Sequence, residues 1–504
     1  MNALKLFKKE QIREWDKYSI QELPIESIDL MENAAKACAE WILEHYAQQD
    51  HFTVFCGMGN NGGDGLAIAR LLAYNGKSIL VYILNTSDKG SPDFETNKRK
   101  AEGQKGVTLV SIHSVNDITL SIEDTVVIDA IMGTGLSRPI EGLYADCVKR
   151  INTLGQYCIS IDLPSGLLCD ETSIESDCIV QADVTLSFQV PKLAFLFAEN
   201  HRYVGNWNLL NIGLSDAFYQ SAKTDIFLLD KLFIKSLVKT ISKFDHKGSN
   251  GHAMLLVGSY GKIGAAILAA RAALRSGVGL LSMQVPKTGF TALQTAVPEA
   301  MVRTGEHNNT IDRPVLTDIS AVGIGPGIGQ DETVLEVLEN VLDINEAITI
   351  FDADALNLLA RNPKLLTEIT KRSILTPHVG EFERLVGKSK DNFEQFKKQL
   401  EFSKLYEVYI VLKGAHTCIT TPEGEAYFNN TGNPGMAKGG SGDVLTGILT
   451  GLLAQGYSPL DTTLLGVYLH GMAGDLAAAY KGEIAMTAGD IIDCIPEAYS
   501  NLLS

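Results

Sequence analysis

The sequence predicts an α/β protein of two domains, each a parallel sheet with helices on both faces. Three observations carry this. Short apolar runs alternate with amphipathic helical stretches, the pattern of a parallel sheet with crossover helices. Glycine-rich loops fall where a strand hands over to a helix. At 504 residues the chain is too long for one ordinary domain. Hydrophobic residues make up 45% and charged residues 20%, which is globular material and excludes a disordered or fibrous chain. The net charge of −17 argues against nonspecific binding to nucleic acid or to an anionic membrane. Small anions are a different matter, because local backbone amides bind them despite a negative whole.

Taken in order, residues 28–41 repeat apolar positions at three and four, a helix. Residues 51–56 read as a strand, 57–65 as a glycine loop and 66–74 as an amphipathic helix, with further strands at 78–84, 125–131 and 157–161. The first domain spans 1–215. Residues 216–245 form a connector, with a short helix around 228–237 and the polar stretch KFDHKGSNGH beyond it. The second domain, 246–504, begins with a strand at 253–257, a glycine loop and an alanine-rich helix at 265–275. Strands follow at 280–285, 321–324, 347–351, 373–375 and 408–412, with no convincing internal repeat. The first twenty residues contain no apolar core of signal-peptide length, and no stretch of about 18 apolar residues suggests a membrane span. The eight cysteines lack CxxC or zinc-type spacing, which reads as buried, reduced thiols of a cytoplasmic protein.

In the first domain GMGNNGGDG, residues 57–65, occupies the strand–helix position where backbone amides and the helix dipole favour phosphate. It does not have the GxGxxG spacing of a dinucleotide-binding dehydrogenase. Two further loops close later strands: VVIDAIMGTGLSRPI with Asp129 and residues 133–139, and ISIDLPSGL with Asp162 and Ser165. Ligands of open parallel sheets bind at the carboxyl ends of the strands, so three such loops ending adjacent strands can form one site. Asn61, Asp129 and Ser165 offer hard oxygen ligands for an alkali or alkaline-earth cation. Each aspartate alone reads as a helix cap; all three together make capping the weaker account.

In the second domain NPGMAKGGSGDVLTG places Gly439, Gly440 and Gly442 before a helix that begins near Asp443. Their amides can hold an anion at that helix N-terminus. Asp443 beside it reads as an N-cap when seen alone, and as a base facing a substrate hydroxyl once a nucleotide phosphate occupies the loop. His378 after Pro377 can equally be a loop histidine satisfied by backbone, Lys413 a surface charge, and Ala265 and Gly327 close-packing residues.

NNGGDG, VIDAIMGTGLSRP and IDLPSG, in this order and with LMENAA at residues 30–35 upstream, resemble the NAD(P)H-hydrate epimerase domain, the YjeF N-terminal fold, over residues 1–215. GGSGD resembles the anion-hole motif of ribokinase-like kinases. With HKGSNGHAMLLVGS, GKIGAAILAARAALRSGVGL, GIGPGIG, DADALNLL, LTPHVGEFERL and LKGAHTCI, residues 246–504 resemble the ADP/ATP-dependent NAD(P)H-hydrate dehydratases. The resemblance implies a Rossmann-like sandwich followed by a ribokinase-like domain, and a bifunctional repair enzyme: epimerisation of R and S hydrates at C6, then dehydration of the S form. It implies substrate binding by Asn60, Asn61, Gly62, Gly63, Asp64, Gly133, Thr134, Gly135, Leu136, Ser137, Arg138 and Pro139, with Asp162 as acid/base and potassium on Asn61, Asp129 and Ser165. In the second domain it implies hydrate contacts from Ala265, Gly327, His378 and Asp443. Lys413, Gly414, Ala415, His416, Thr417 and Gly442 would hold the nucleotide, with magnesium on its phosphates. ADP is the expected nucleotide and ATP the alternative. The partners implied are these small molecules and further copies of the chain, as a tetramer or octamer, for which an apolar helix such as 31–41 could serve as an interface. A vitamin or sugar kinase, or a noncatalytic first domain, are the rival readings.

Overall fold

The computed structural model describes residues 3–87, 89–119, 125–171, 173, 178–344 and 347–504. The chain divides into two compact units: Lys5–Thr224 with Asp391–Phe393, and Asp225–Lys390 with Glu394–Ser504 and residues 3 and 4.

The first unit is built on seven strands in the order Val107–Ile112, Ser78–Leu84, His51–Cys56, Val126–Ala130, Cys158–Ile161, Val184–Phe188 and Asn206–Leu210, every neighbouring pair parallel. The central strands are buried almost throughout because helices cover both faces, which is why they read as unbroken apolar runs rather than alternating ones. One face packs Val54, Ile68 and Ile128, the other Phe55, Val127 and Val148. Helix Ser27–His45 buries Leu30, Met31, Ala34, Ala35, Cys38, Ala39 and Ile42. The apolar stripe at 31–41, expected as a subunit interface, is therefore spent on the unit's own core.

The second unit carries parallel strands in the order Tyr409–Leu412, Ile374–Leu375, Thr349–Phe351, Ala321–Ile324, His252–Leu256, Leu280–Gln284 and Met301–Arg303. Beyond Tyr409–Leu412 the sheet turns antiparallel through Cys418–Thr420 and Ala426–Phe428, and Ile226–Leu228 pairs parallel with Ala426–Phe428. The stretch expected as a connector is thus ordered. It contributes helix Asp216–Ser221 to the first unit, and strand Ile226–Leu228 with helix Lys231–Leu237 to the second. Helix Ser441–Ala454 lies against helix Ile263–Arg275. Among the described residues no helix is long and apolar enough to cross a membrane.

Candidate functional site

In the first unit, strand Val126–Ala130 is flanked by His51–Cys56 and Cys158–Ile161, so the loops leaving their carboxyl ends converge. They wall a cavity of about 600 Å³ together with helices Lys9–Glu22 and Ser27–His45. NNGGDG is not a loop ahead of a helix but the first turns of helix Asn60–Tyr74 itself. Its glycines serve close approach: a Cβ on Gly62 would overlap the Gly57 carbonyl oxygen, and one on Gly65 would come within 2.6 Å of Ala130 Cβ. Gly133 is pinned in the same way, since a Cβ there would lie 2.8 Å from Asp162 Oδ2.

Asp162 is the focus of this site. Its backbone is left-handed, at φ 67°, a conformation rare for non-glycine residues and frequent at functional positions. The side chain is 8% exposed. Oδ2 accepts a hydrogen bond from the Thr134 amide at 3.0 Å, and Oδ1 lies 3.2 Å from Lys192 Nζ. Lys192, 1% exposed, also donates to the carbonyls of Phe188 and Val190 at 3.1 and 3.3 Å. Asn60, Asn61, Asp64, Gly133, Thr134 and Gly135 face the same cavity. Gly62 and Gly63 are buried in the helix start. Leu136 packs into a core cluster, and Ser137, Arg138 and Pro139 are exposed, off the walls of this cavity. Burial and the Asp162 carboxylate push Asp16 up to about 6. Burial, then the Asp162, Asp16 and Asp93 charges, also push the Asp64 carboxyl well above the usual carboxylate range.

Of the three oxygen-bearing residues singled out for a cation, Asp129 and Ser165 are bonded to each other, and Asn61 lies on the cavity wall beside Gly133. Asp129, fully buried, accepts from Ser165 Oγ at 2.5 Å and the Ile131 amide at 3.2 Å on Oδ1. Its Oδ2 accepts from Ser160 Oγ at 2.7 Å and the Ser165 amide at 2.9 Å. Burial raises its carboxyl even against these four bonds. Asn61 sits across the Gly133 backbone, and its Nδ2 is buried without a hydrogen-bond partner. Turning the carboxamide by 180°, which leaves its shape unchanged, would put an oxygen with a free lone pair in that position. Asn61 thus carries an unsatisfied polar group on the cavity wall, while the Asp129 oxygens already accept four hydrogen bonds.

In the second unit the carboxyl ends of the adjacent strands Ala321–Ile324, Thr349–Phe351, Ile374–Leu375 and Tyr409–Leu412 bring their loops to one edge. Gly440, at φ 94°, ends the glycine loop and helix Ser441–Ala454 follows, with Gly442 and Asp443 in its first turn. Lys413 Nζ lies 2.8 Å from Asp352 Oδ1 and 4.0 Å from Glu381 Oε2. Asp352 also accepts from Thr446 Oγ1 at 2.8 Å. A Cβ on Gly442 would stand 3.5 Å from Lys413 Nζ and 3.8 Å from Asp352 Oδ2. Burial, then the Asp352 charge, push Asp443 up to about 6, while Lys413 pulls the other way. Behind the loop His470 Nε2 is 3.5 Å from Ser441 Oγ, and burial lowers that imidazole to about 4.

His378 caps helix Val379–Val386: its Nδ1 accepts from the Gly380 amide at 3.0 Å, and Nε2 is 3.2 Å from Glu381 Oε1. Glu381 thereby joins it to Lys413. Ala265 meets Gly327, where a Cβ would come 3.5 Å from Ala265 Cβ, and Gly327 itself needs φ 67°. Residues 413–417, with Gly414, Ala415, His416 and Thr417, are the turn between Tyr409–Leu412 and the antiparallel strand Cys418–Thr420, closed by Thr417 Oγ1 donating to the Gly414 carbonyl at 3.1 Å. Asp352 and Glu381 stand inside motifs already singled out, and His470 is a polar break in an apolar helix. Asp16 and Lys192 have no such marker.

A model of the YjeF-related protein N-terminus matches residues 27–194, and a model of NAD(P)H-hydrate dehydratase matches residues 253–497. The bifunctional NAD(P)H-hydrate repair enzyme of Moorella thermoacetica is 35% identical, over 97% of this chain and 95% of its own length. Its counterpart in Coxiella burnetii is 34% identical over 96% and 97%, and that of Escherichia coli 32% over 96% and 92%. A crystal structure of ADP/ATP-dependent NAD(P)H-hydrate dehydratase from Bacillus subtilis, co-crystallised with ATP/Mg2+, aligns at a TM-score of 0.47 and 30% identity, covering 54% of this chain and 97% of that one. With two carboxylate-centred sites, one per unit, and relatives matched over nearly the whole chain, this protein belongs to the family of bifunctional NAD(P)H-hydrate repair enzymes.

Proposed function

We propose that the first unit inverts C6 of hydrated NADH and NADPH through Asp162, and that the second dehydrates the S epimer through Asp443 with ADP or ATP. The observation carrying this is the pair of separate carboxylates, one ion-paired with a lysine and the other within a lysine's field. Asp162 lies at a left-handed turn against Lys192, and Asp443 lies at the anion-binding end of a helix, under the influence of Lys413.

In the first site Asp162 moves a proton at the C6 hydroxyl, and the amides about residues 133–135 hold the hydrate. Asn61, Asp129 and Ser165 are the residues that would hold potassium, whose charge would steady the substrate's phosphates. In the second site Asp443 takes the C6 hydroxyl proton as that oxygen attacks the terminal phosphorus, and AMP leaves if the nucleotide is ADP. The C6–O bond then breaks with phosphate as leaving group, and loss of the C5 proton restores the C5–C6 double bond. Gly442 and residues 413–417 cradle the nucleotide, and Ala265, Gly327 and His378 face the hydrate. Magnesium, when bound with the nucleotide, would screen the phosphate charges beside Gly442 and residues 413–417. ADP is the nucleotide we propose. Buried, unbridged thiols such as Cys38, Cys56 and Cys418 suit a reducing cytoplasm, and a tetramer or octamer is the assembly to look for by light scattering.

The test is recovery of reduced-nicotinamide absorbance from an epimer mixture, with each nucleotide in turn. Asp162→Asn should stop recovery near the share of the S epimer, and Asp443→Asn should abolish it while R and S still interconvert. Either folded variant losing both activities would overturn the division of labour.

A further inference from the structure

The epimerase cavity holds more proton-carrying groups than one aspartate acting alone would use. Asp16 projects into it from helix Lys9–Glu22, a different wall from the strand end that supplies Asp162. This helix lies ahead of residues 27–194, the part matched by the family model. Its place is nonetheless fixed. Trp15 is 2% exposed and donates through Nε1 to the Ser215 carbonyl at 2.8 Å. Its ring stacks on Phe218 at 6.0 Å. On the cavity side Arg13 donates to the Gly135 carbonyl at 3.2 Å, tying the helix to the substrate loop. Neighbouring Asp16 is thus held in register with that loop, on the same helix turn as a fully buried anchor.

We propose that Asp16 is a second catalytic carboxyl of the epimerase, acting on C6 of the hydrate from a different wall of the cavity than Asp162. This rests on Asp162 being the epimerase acid/base. Inversion at C6 by loss of water from one face and its re-addition at the other is served by one acid/base group on each side of the ring. Protonated Asp16 gives its proton to the C6 hydroxyl, the C6–O bond breaks to release water, and the N1 lone pair forms the C6–N1 double bond of an iminium. A water on the other side attacks C6, its proton passes to the Asp162 carboxylate, and the iminium electron pair returns to N1. The product is the opposite epimer, with Asp16 ionised and Asp162 protonated. Reversing the roles carries the reverse reaction, and one water leaves as one enters. The pair must therefore hold one proton between them. The other charged groups walling the cavity are Asp64, Lys192, Arg13 and Lys17. The elevated Asp16 carboxyl, at about 6, suits a group that is protonated in part of the neutral range, whereas an ordinary aspartate would be fully ionised.

The experiment follows interconversion of the pure R hydrate by chiral chromatography in the full-length protein without nucleotide, so that the second unit is idle. Asp16→Asn is expected to slow it by roughly 100-fold or more, the usual effect of losing an acid or base. It should also remove the decline in rate expected of the wild type above about pH 6, and Asp16→Glu should restore part of both. A wild-type rate in Asp16→Asn, or a slower one with the pH profile unchanged, overturns the proposal. A wild-type rate in Asp162→Asn overturns the reading of Asp162 instead, so the two failures are distinct. Because a variant can misfold, the wild type is also run in 18O-enriched water. One solvent oxygen at C6 per inversion is expected, and retention of the original oxygen overturns the proposal.

Discussion

Asp443 shows how a single charge is tuned by two neighbours of opposite sign. Burial and Asp352 raise it to about 6, and Lys413 opposes them. As a base it must be ionised, so dehydration should fall about tenfold per pH unit as pH drops below 6. The signs of the neighbours then give two opposite shifts. Lys413→Gln removes the cation that favours the carboxylate and should move the acidic limb of kcat to higher pH. Asp352→Asn removes the like charge and should move it lower. A pH–rate profile at saturating nucleotide checks both, and limbs that stay in place would mean another group controls them. Legibility at this scale follows local context. Asp443 and Asp162 follow or adjoin glycine or Pro-Ser-Gly turns, so their chemistry is written beside them. Asp16 lies in KEQIREWDKYSIQE, where one aspartate among many polar residues looks like a solvated helix face. Lys192 looks like surface, and only the fold reveals that it is buried at 1% exposure.

At the scale of elements, the dehydratase helix Ser441–Ala454 is seated by absent side chains. A Cβ on Gly447 would overlap the Ala269 carbonyl oxygen, and one on Gly451 would overlap Ser276 Oγ. Helix Ile263–Arg275 answers with Ala266, Ala269, Ala270, Ala272 and Ala273, all buried. Two small-residue faces let the helices approach closely, and they set where the amides of residues 439–442 point. Gly447→Ala should force the pair apart at a cost of about 1–3 kcal/mol. Dehydratase activity should fall with the displaced loop while epimerisation, in the other unit, is untouched. Denaturant melts beside the two activity assays check this, and an undisturbed dehydratase would mean the loop is positioned by something other than this packing. The sequence made such elements readable where a period or a glycine punctuated them: strands 51–56, 78–84 and 321–324 fall where the apolar runs put them. Helix Pro459–Lys481 offered no period because nearly every side of its middle is buried. Strands Cys418–Thr420 and Ala426–Phe428 are three residues each, too short to stand out. The start of helix Asn60–Tyr74 was hidden because a glycine-rich segment signals a turn, whereas here the glycines let a helix begin against the backbone of residue 57.

For the whole molecule, the two units each bury a core of their own. Val54, Ile68, Ile128 and Ile159 belong to one cluster of the first unit. In the second, Leu255, Ala269, Ile448 and Leu469 fill one face of the sheet, and Val322, Val337, Phe351 and Phe382 fill the other. Cooperative unfolding follows shared cores, so each unit should melt as its own transition. A ligand that binds one native unit stabilises that unit alone. ADP with magnesium, at 100 times its dissociation constant, should add about 2.7 kcal/mol to the dehydratase unit and raise one of two calorimetric transitions while the other stays in place. Asp162→Asn, whose side chain lies in the first unit, should leave that ADP-induced shift intact. A single transition that moves as a whole with ADP would instead show that the two units unfold together, and every single-site stability change would then have to be interpreted across both activities.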